Sequence, residues 1–301
     1  MPIMSPSDAG ALVLRDGPVV PSPLPATTIT LSQIVRKYFR IFRSSLIERM
    51  VYRGDFLLGT LLRFLPMITT ILLWQAVYKG SGKEELAGFT FQQMIAYLLL
   101  VHISRMFSSM PGLAVGIARD IRDGSLKKYL VQPLHMLGYL TAYRMAHKVA
   151  YISMSCVPYA ILFFLCRQFF GGFPDPAVFL GYVISLLLAF FVGFYFEACI
   201  GMIGFWFLEV TSFLYVINTL NFFISGQMFP IDLLPGVWPT LLKLLPFQYL
   251  AYFPALVFLG KIQGMALIQG LLAELAWALI LVVLANVLYR LGLRRYSAFG
   301  G

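Results

Sequence analysis

The sequence predicts an all-α polytopic membrane protein with six transmembrane helices. Three observations predict it. The 301-residue chain is 59% hydrophobic and only 12% charged, whereas a soluble domain carries about 25% charged residues. Its mean hydropathy is +0.81. Several apolar runs reach the ~20 residues that cross a hydrocarbon core of about 30 Å. These are long blocks, not the short alternating segments of a membrane β-barrel.

Residues 1–30, with Pro18, Pro21, Pro23 and Pro25, read as a flexible cytoplasmic tail. They lack the basic region and compact apolar core of a signal peptide. Thr30-Leu-Ser-Gln33 fits a capping box and opens an amphipathic interfacial helix over 31–53. Ile34, Val35, Tyr38, Ile41 and Phe42 recur at helical spacing, and Arg36, Lys37, Arg40 and Arg43 fill the opposite face. A basic amphipathic helix of this kind suits an anionic leaflet.

The membrane domain occupies 54–301, with spans expected over 56–78, 91–115, 138–166, 177–204, 207–228 and 265–289. Charge assigns their sides. Lys79, Lys83, Glu84 and Glu85 balance after the first span, whereas Arg119, Arg122, Lys127 and Lys128 follow the second, with Arg144 and Lys148 just beyond. Arg290, Arg294 and Arg295 close the chain. The positive-inside rule then places both termini and the 116–137 loop in the cytoplasm. It also accounts for the net charge of +10 without nucleic acid as a partner.

Between spans five and six, an apolar stretch is interrupted by Pro230, Pro235, Pro239, Pro246 and Pro254. So many prolines preclude one straight helix. Short re-entrant outer helices over 229–258 reconcile the breaks with the apolar character, provided protein covers the backbone.

Little in the chain points to catalysis. Gly80-Ser-Gly-Lys83 resembles a phosphate-binding loop only briefly, since Val77 and Glu84 stand where glycine and a hydroxyl are required. His102, His135 and His147 lack paired metal spacing, as do Cys156, Cys166 and Cys199, so no metal site and no disulfide framework is expected. No serine sits in a nucleophile elbow.

Ionisable residues within spans call for a partner or a pathway. Arg63 and Arg105 suit pairing or snorkelling; His102 and Glu274 join them as candidates. Glu197 and Glu209 flank a tight turn between spans four and five, where they gate, pair or relay protons. Asn218, Asn221, Ser225 and Gln227 fall partly on one face of span five, for interhelical hydrogen bonds or a translocation path.

The most distinctive segment is Gly116 to Pro133, a charged island between apolar spans. Ile117 and Ile121, with Leu126 and Leu130, offer an apolar side; Arg119, Asp120, Arg122 and Asp123 face water; Gly124 and Pro133 break the helix. It is a solvated connector or a docking element.

Arg122-Asp-Gly-Ser-Leu-Lys-Lys-Tyr-Leu-Val-Gln-Pro133, then Gly226-Gln-Met-Phe-Pro230 with Leu234-Pro235 and Trp238, then Leu245-Pro-Phe-Gln-Tyr249 with Pro254 and Gly260, resemble the six-span permeases of type-2 ABC exporters. The likeness covers about residues 31–298. It implies an ATP-driven exporter in the bacterial inner membrane, with ATP and magnesium held by a separate ATPase present in two copies. It further implies no cofactor in this chain and a second permease, identical or related, alongside. Under it, Arg119, Arg122, Asp123, Gly124, Ser125, Leu126, Lys127, Leu130 and Pro133 form an ATPase-coupling helix. Pro230, Pro235, Pro246, Phe247 and Tyr249 shape the outer re-entrant segment. Arg122 departs from a more acidic stretch in many relatives. An ion-coupled secondary transporter using Glu197, Glu209 and Arg105, or a membrane scaffold, are the alternatives.

Overall fold

The computed structural model describes residues 31–50, 62, 64–132, 134–207 and 210–296. The expectations placed on the tail 1–30, the Thr30 cap, residues 51–53, Arg63, Pro133 and Glu209 lie outside the described residues.

Helix α1 (Leu31–Met50) forms where the amphipathic pattern predicts it. Phe39 and Ile47 on its apolar side remain exposed. The membrane domain begins with α2 (Phe64–Ser81). A two-stranded hairpin follows, β1 (Glu85–Leu86) against β2 (Phe89–Thr90). Its turn residues Ala87 and Gly88 both have positive φ, the twist that suits a two-residue hairpin. Thr90 then caps α3 (Phe91–Ser108) in a capping box with Gln93.

The second expected span, 91–115, is interrupted. Helix α3 stops at Ser108, and a new helix, α4 (Leu113–Arg122), starts after four residues. Pro111 has no N–H to continue the ladder and biases its predecessor toward extended backbone. Gly112 adopts φ +73°, which no continuing helix permits. Residues 113–115 therefore belong to the next element.

A short turn of helix, α5 (Lys127–Leu130), leads to α6 (Met136–Leu165), α7 (Pro176–Met202) and α8 (Thr211–Ile224). Two short helices, α9 (Trp238–Leu244) and α10 (Tyr252–Phe258), precede α11 (Gly264–Arg295). Among the described residues, four helical runs are long and apolar enough to cross a membrane: Phe91–Arg122, Met136–Leu165, Pro176–Phe205 and Gly264–Arg295. Helix α8 is shorter, and α2 begins beside undescribed residues.

Helix α7 is the central strut, packed along α11, α3 and α4. Glycines make these contacts close. A Cβ at Gly181 would lie 2.8 Å from the Leu267 side chain, and one at Gly193 would collide with the Ser108 carbonyl. With no hydrophobic drive between helices in lipid, such small-residue seams hold them together through dense van der Waals contact. The two largest apolar clusters among the described residues lie at different ends. One gathers Phe89, Tyr97, Tyr252 and Phe253 at the hairpin end. The other gathers Ile117, Leu126, Met136, Phe194 and Tyr289 at the end bearing the 116–137 loop.

Candidate functional site

The charged island folds as an elbow with one buried side and one presented side. On α4, Leu113, Ile117 and Ile121 are buried, while Arg119 and Arg122 are exposed. The buried side lies against α7 at backbone distance. A Cβ at Gly201 would fall 2.8 Å from the Ala114 carbonyl, and one at Gly204 3.1 Å from the Ala118 Cα. Gly124, at φ +71°, ends the helix. The Leu126 N–H then turns back to the Asp120 carbonyl at 2.9 Å, and the Leu126 side chain is fully buried. Lys128 clamps the elbow through a 2.7 Å ion pair with Asp120. Burial pulls the Lys128 ammonium down, but the hydrogen bond and charge of Asp120 outweigh it and leave the group above its ordinary value.

Arg122 and Asp123 pair with each other at 3.2 Å, both half-exposed. Lys127 is exposed, Ser125 half-buried, and Leu130 and Val131 open, Val131 at 80%. Of the two leucines expected to face lipid or the bundle, Leu126 is buried and Leu130 is exposed. The presented tip is therefore Arg119, Arg122, Asp123, Lys127, Leu130 and Val131.

The root of α4, at the 109–112 break, is a polar knot that ties four elements together. The broken ladder leaves carbonyls at the end of α3 without intrahelical partners. Lys148 of α6 donates to the Met106 carbonyl at 2.6 Å and to the Ser109 carbonyl. Arg144, one turn away, donates to the Pro111 carbonyl at 3.0 Å. Cations at a helix C-terminus also complement its dipole. Glu197 of α7 sits on the other side, interacting with the Ala114 N–H, Arg105 and Arg144. A carboxylate at the first turn of α4 is favoured by the same dipole. Arg105 donates to the Ser108 hydroxyl at 3.3 Å, and that hydroxyl donates to the Leu250 carbonyl at 2.7 Å.

Leu250 belongs to a hairpin of short helices, and its bond to Ser108 reveals how deep that hairpin reaches. Helix α9 descends, Pro246 opens a 3-10 turn (Pro246–Leu250), and α10 returns. Leu250 packs with Val192 and Leu281, and Phe247 meets Phe196 edge-on at 5.1 Å. Val192 lies 16 residues into α7, about 24 Å along it at 1.5 Å per residue. Tyr249 is buried at the same turn. Pro230 is buried at the start of the segment, and Pro235 is exposed in a turn. Asp232 anchors the mouth, accepting from Tyr252 and pairing with Lys243, both at 2.5 Å.

The remaining candidates separate. Asn218 faces outward from α8, and Asn221 is buried. Glu274 is fully buried in α11 and accepts from Ser185 at 2.8 Å. Sequence reasoning counted Arg144 and Lys148 only as basic residues just beyond the loop after span two, and passed over Ser108. Their roles depend on carbonyl acceptors far along the chain.

Seen together, these features are a presented elbow welded to a membrane helix, with a deep hairpin tied to its root. A family profile described as "ABC-2 family transporter protein" matches residues 64–300. The chain belongs to the ABC-2 transporter family. As an ABC-2 family member it is a multi-pass membrane permease component of an ABC transporter, and the family implies an ABC ATPase as partner. The resemblance read from the three sequence patches is thus confirmed at the level of the family. A search of curated proteins returns no match.

Proposed function

We propose that this permease forms the translocation pathway of an ATP-driven exporter, as a dimer, and that residues 116–133 receive the force of a separate cytoplasmic ATPase. The supporting observation is the elbow itself. Its tip is exposed and charged, while its shaft closely approaches the backbone at Gly201 of α7 and Gly204 of the 3-10 turn (Ile203–Phe205) that follows it. A rigid lever needs both properties, since a solvated connector would be free to flex without moving a span. ATP and magnesium reside on the partner, and the two termini lie on its side of the bacterial inner membrane. Helix α8 supports the dimer: Tyr215 is 76% exposed, and the Asn218 amide faces outward from an apolar helix. A second copy relieves the cost of leaving such an amide in lipid. The deep hairpin over 229–258 closes the exit from the opposite face.

Gly124→Val and the charge swap Arg122→Asp with Asp123→Arg test the lever. Co-expressed with the ABC ATPase, each is expected to lower ATPase stimulation in proteoliposomes about tenfold, while the charge swap leaves the permease's thermal stability unchanged. The glycine substitution imposes a left-handed β-branched residue costing at least 1–2 kcal/mol locally. Unchanged assembly and stimulation in both variants would refute the coupling role.

A further inference from the structure

Helix α1 presents two exposed stripes side by side. Arg36, Arg40 and Arg43 recur at i, i+4 and i+7, along one face of an α-helix, and all three are exposed. Among the described residues none of them makes a hydrogen bond or an ion pair. Glu48, the one acidic residue of the helix, falls off that stripe. Beside the arginines, Val35 and Phe39 are each 61% exposed, and Phe39 stacks on Phe42 with ring centroids 6.4 Å apart. Three cations without a counter-charge attract an anionic surface, and the apolar stripe next to them suits hydrocarbon. A phospholipid leaflet offers both in one plane. An acidic protein surface would leave Val35 and Phe39 against polar groups.

The opposite side of α1 is tied to the bundle. Ser45 is buried, and the Tyr38 hydroxyl comes so close to Gly138 that an added Cβ would lie 2.7 Å from it. Gly138 belongs to the first turn of α6, between Leu137 and Tyr139. Met136 and Leu137 are buried in one cluster with Ile117 and Leu126 of the elbow. The Tyr139 ring lies 5.5 Å from that of Tyr129 in α5 and stacks on Tyr143 at 6.4 Å. Lys128, which clamps the elbow to Asp120, sits 4.9 Å over the Tyr129 ring. A shift of α1 against α6 is therefore felt one residue away from the contacts that hold α5.

We infer that α1 seats on anionic phospholipid headgroups, in the leaflet on the elbow's side of the membrane, and that Tyr38 passes this seating to the elbow through the root of α6. Lipid phosphates lie along Arg36, Arg40 and Arg43, with Val35 and Phe39 at the acyl boundary. A lipid can act on the elbow only if seated and unseated α1 bear differently on α6, and the close approach of Tyr38 to Gly138 supplies that difference. The inference rests on the permease reading only for what the braced elbow receives from the ATPase.

The test uses the full chain without ATPase, with Cys156→Ser as background and the environment-sensitive fluorophore NBD on Phe39→Cys. It is placed in nanodiscs of phosphatidylcholine alone or of phosphatidylcholine mixed with phosphatidylglycerol. NBD emission is expected to rise and shift to the blue in the mixed discs, and added salt should reverse the gain. Each arginine held at an anionic surface is worth about fivefold in the seating equilibrium. Combining Arg36→Gln, Arg40→Gln and Arg43→Gln, all on exposed positions, should therefore abolish the gain. Hydrogen exchange across 124–132 is expected to slow severalfold in the mixed discs. Tyr38→Ala should keep the NBD response and lose this slowing, whereas the arginine variant should lose both. The inference is overturned by equal emission in the two discs, by a gain that survives the arginine variant, or by the same gain in neutral discs on adding soluble glycerol phosphate. Exchange that ignores the lipid, or still follows it in Tyr38→Ala, overturns it as well. Failure of the permease reading has a separate signature, since both lipid responses would persist while the ATPase neither assembles nor responds.

Discussion

Lys148 leaves α6 to donate to carbonyls of α3, and it is buried while doing so. A lysine accepts that position only where backbone acceptors replace its water. Those carbonyls exist because Pro111 and Gly112 stop the α3 ladder, so the lysine and the break need each other. Lys148→Met would keep the aliphatic stem and remove the donors. It is expected to destabilise the protein by about 1–3 kcal/mol, the penalty for stranding buried carbonyls. The check is a lowered Tm of the detergent-solubilised protein relative to an exposed control such as Lys127→Met. Arg144 lies on the same face and holds Pro111, so the double variant should fall by less than the sum, as neighbours in one network do.

At the scale of elements, the seam of α4 on α7 and the turn after it is defined by what is missing from Gly201 and Gly204. Gly201→Leu would push α4 off the strut. ATPase stimulation should then fall more steeply than ATPase binding, because the exposed tip survives while its lever arm is loosened; equal loss of both would contradict that division. The long apolar helices were legible from hydropathy, and Gly124 was legible as an elbow because glycine tolerates positive φ. The interruption after Ser108 was not, because Leu113, Ala114 and Val115 continue the apolar run across Pro111. Nor was the small β-hairpin, whose two-residue strands are too short for any periodicity. The polar knot was half legible: Arg105 and Glu197 stood out as charges in spans. Their companions did not, since the acceptors of Lys148 and Ser108 are main-chain oxygens, and Leu250 lies 142 positions from Ser108.

Across the whole molecule, α7 links the elbow and the hairpin, and Ser108 joins the second of these to the first. Its hydroxyl receives Arg105 and donates to Leu250, and its carbonyl abuts Gly193. On the proposed reading, a displacement of α4 at one end shifts the hairpin at the other through this tie. Ser108→Ala cuts this tie without adding bulk. Proteoliposomes carrying it and a trapped pH dye should discharge a proton gradient faster than wild type while idle; equal discharge would dissociate Ser108 from closure. An idle transporter sits in a membrane whose electrochemical gradient powers everything else the cell does. On the proposed reading, in which the elbow is driven by the ATPase and the hairpin closes the exit, one hydroxyl tied to both makes resting closure a matter of geometry and guards that gradient from a short circuit between strokes.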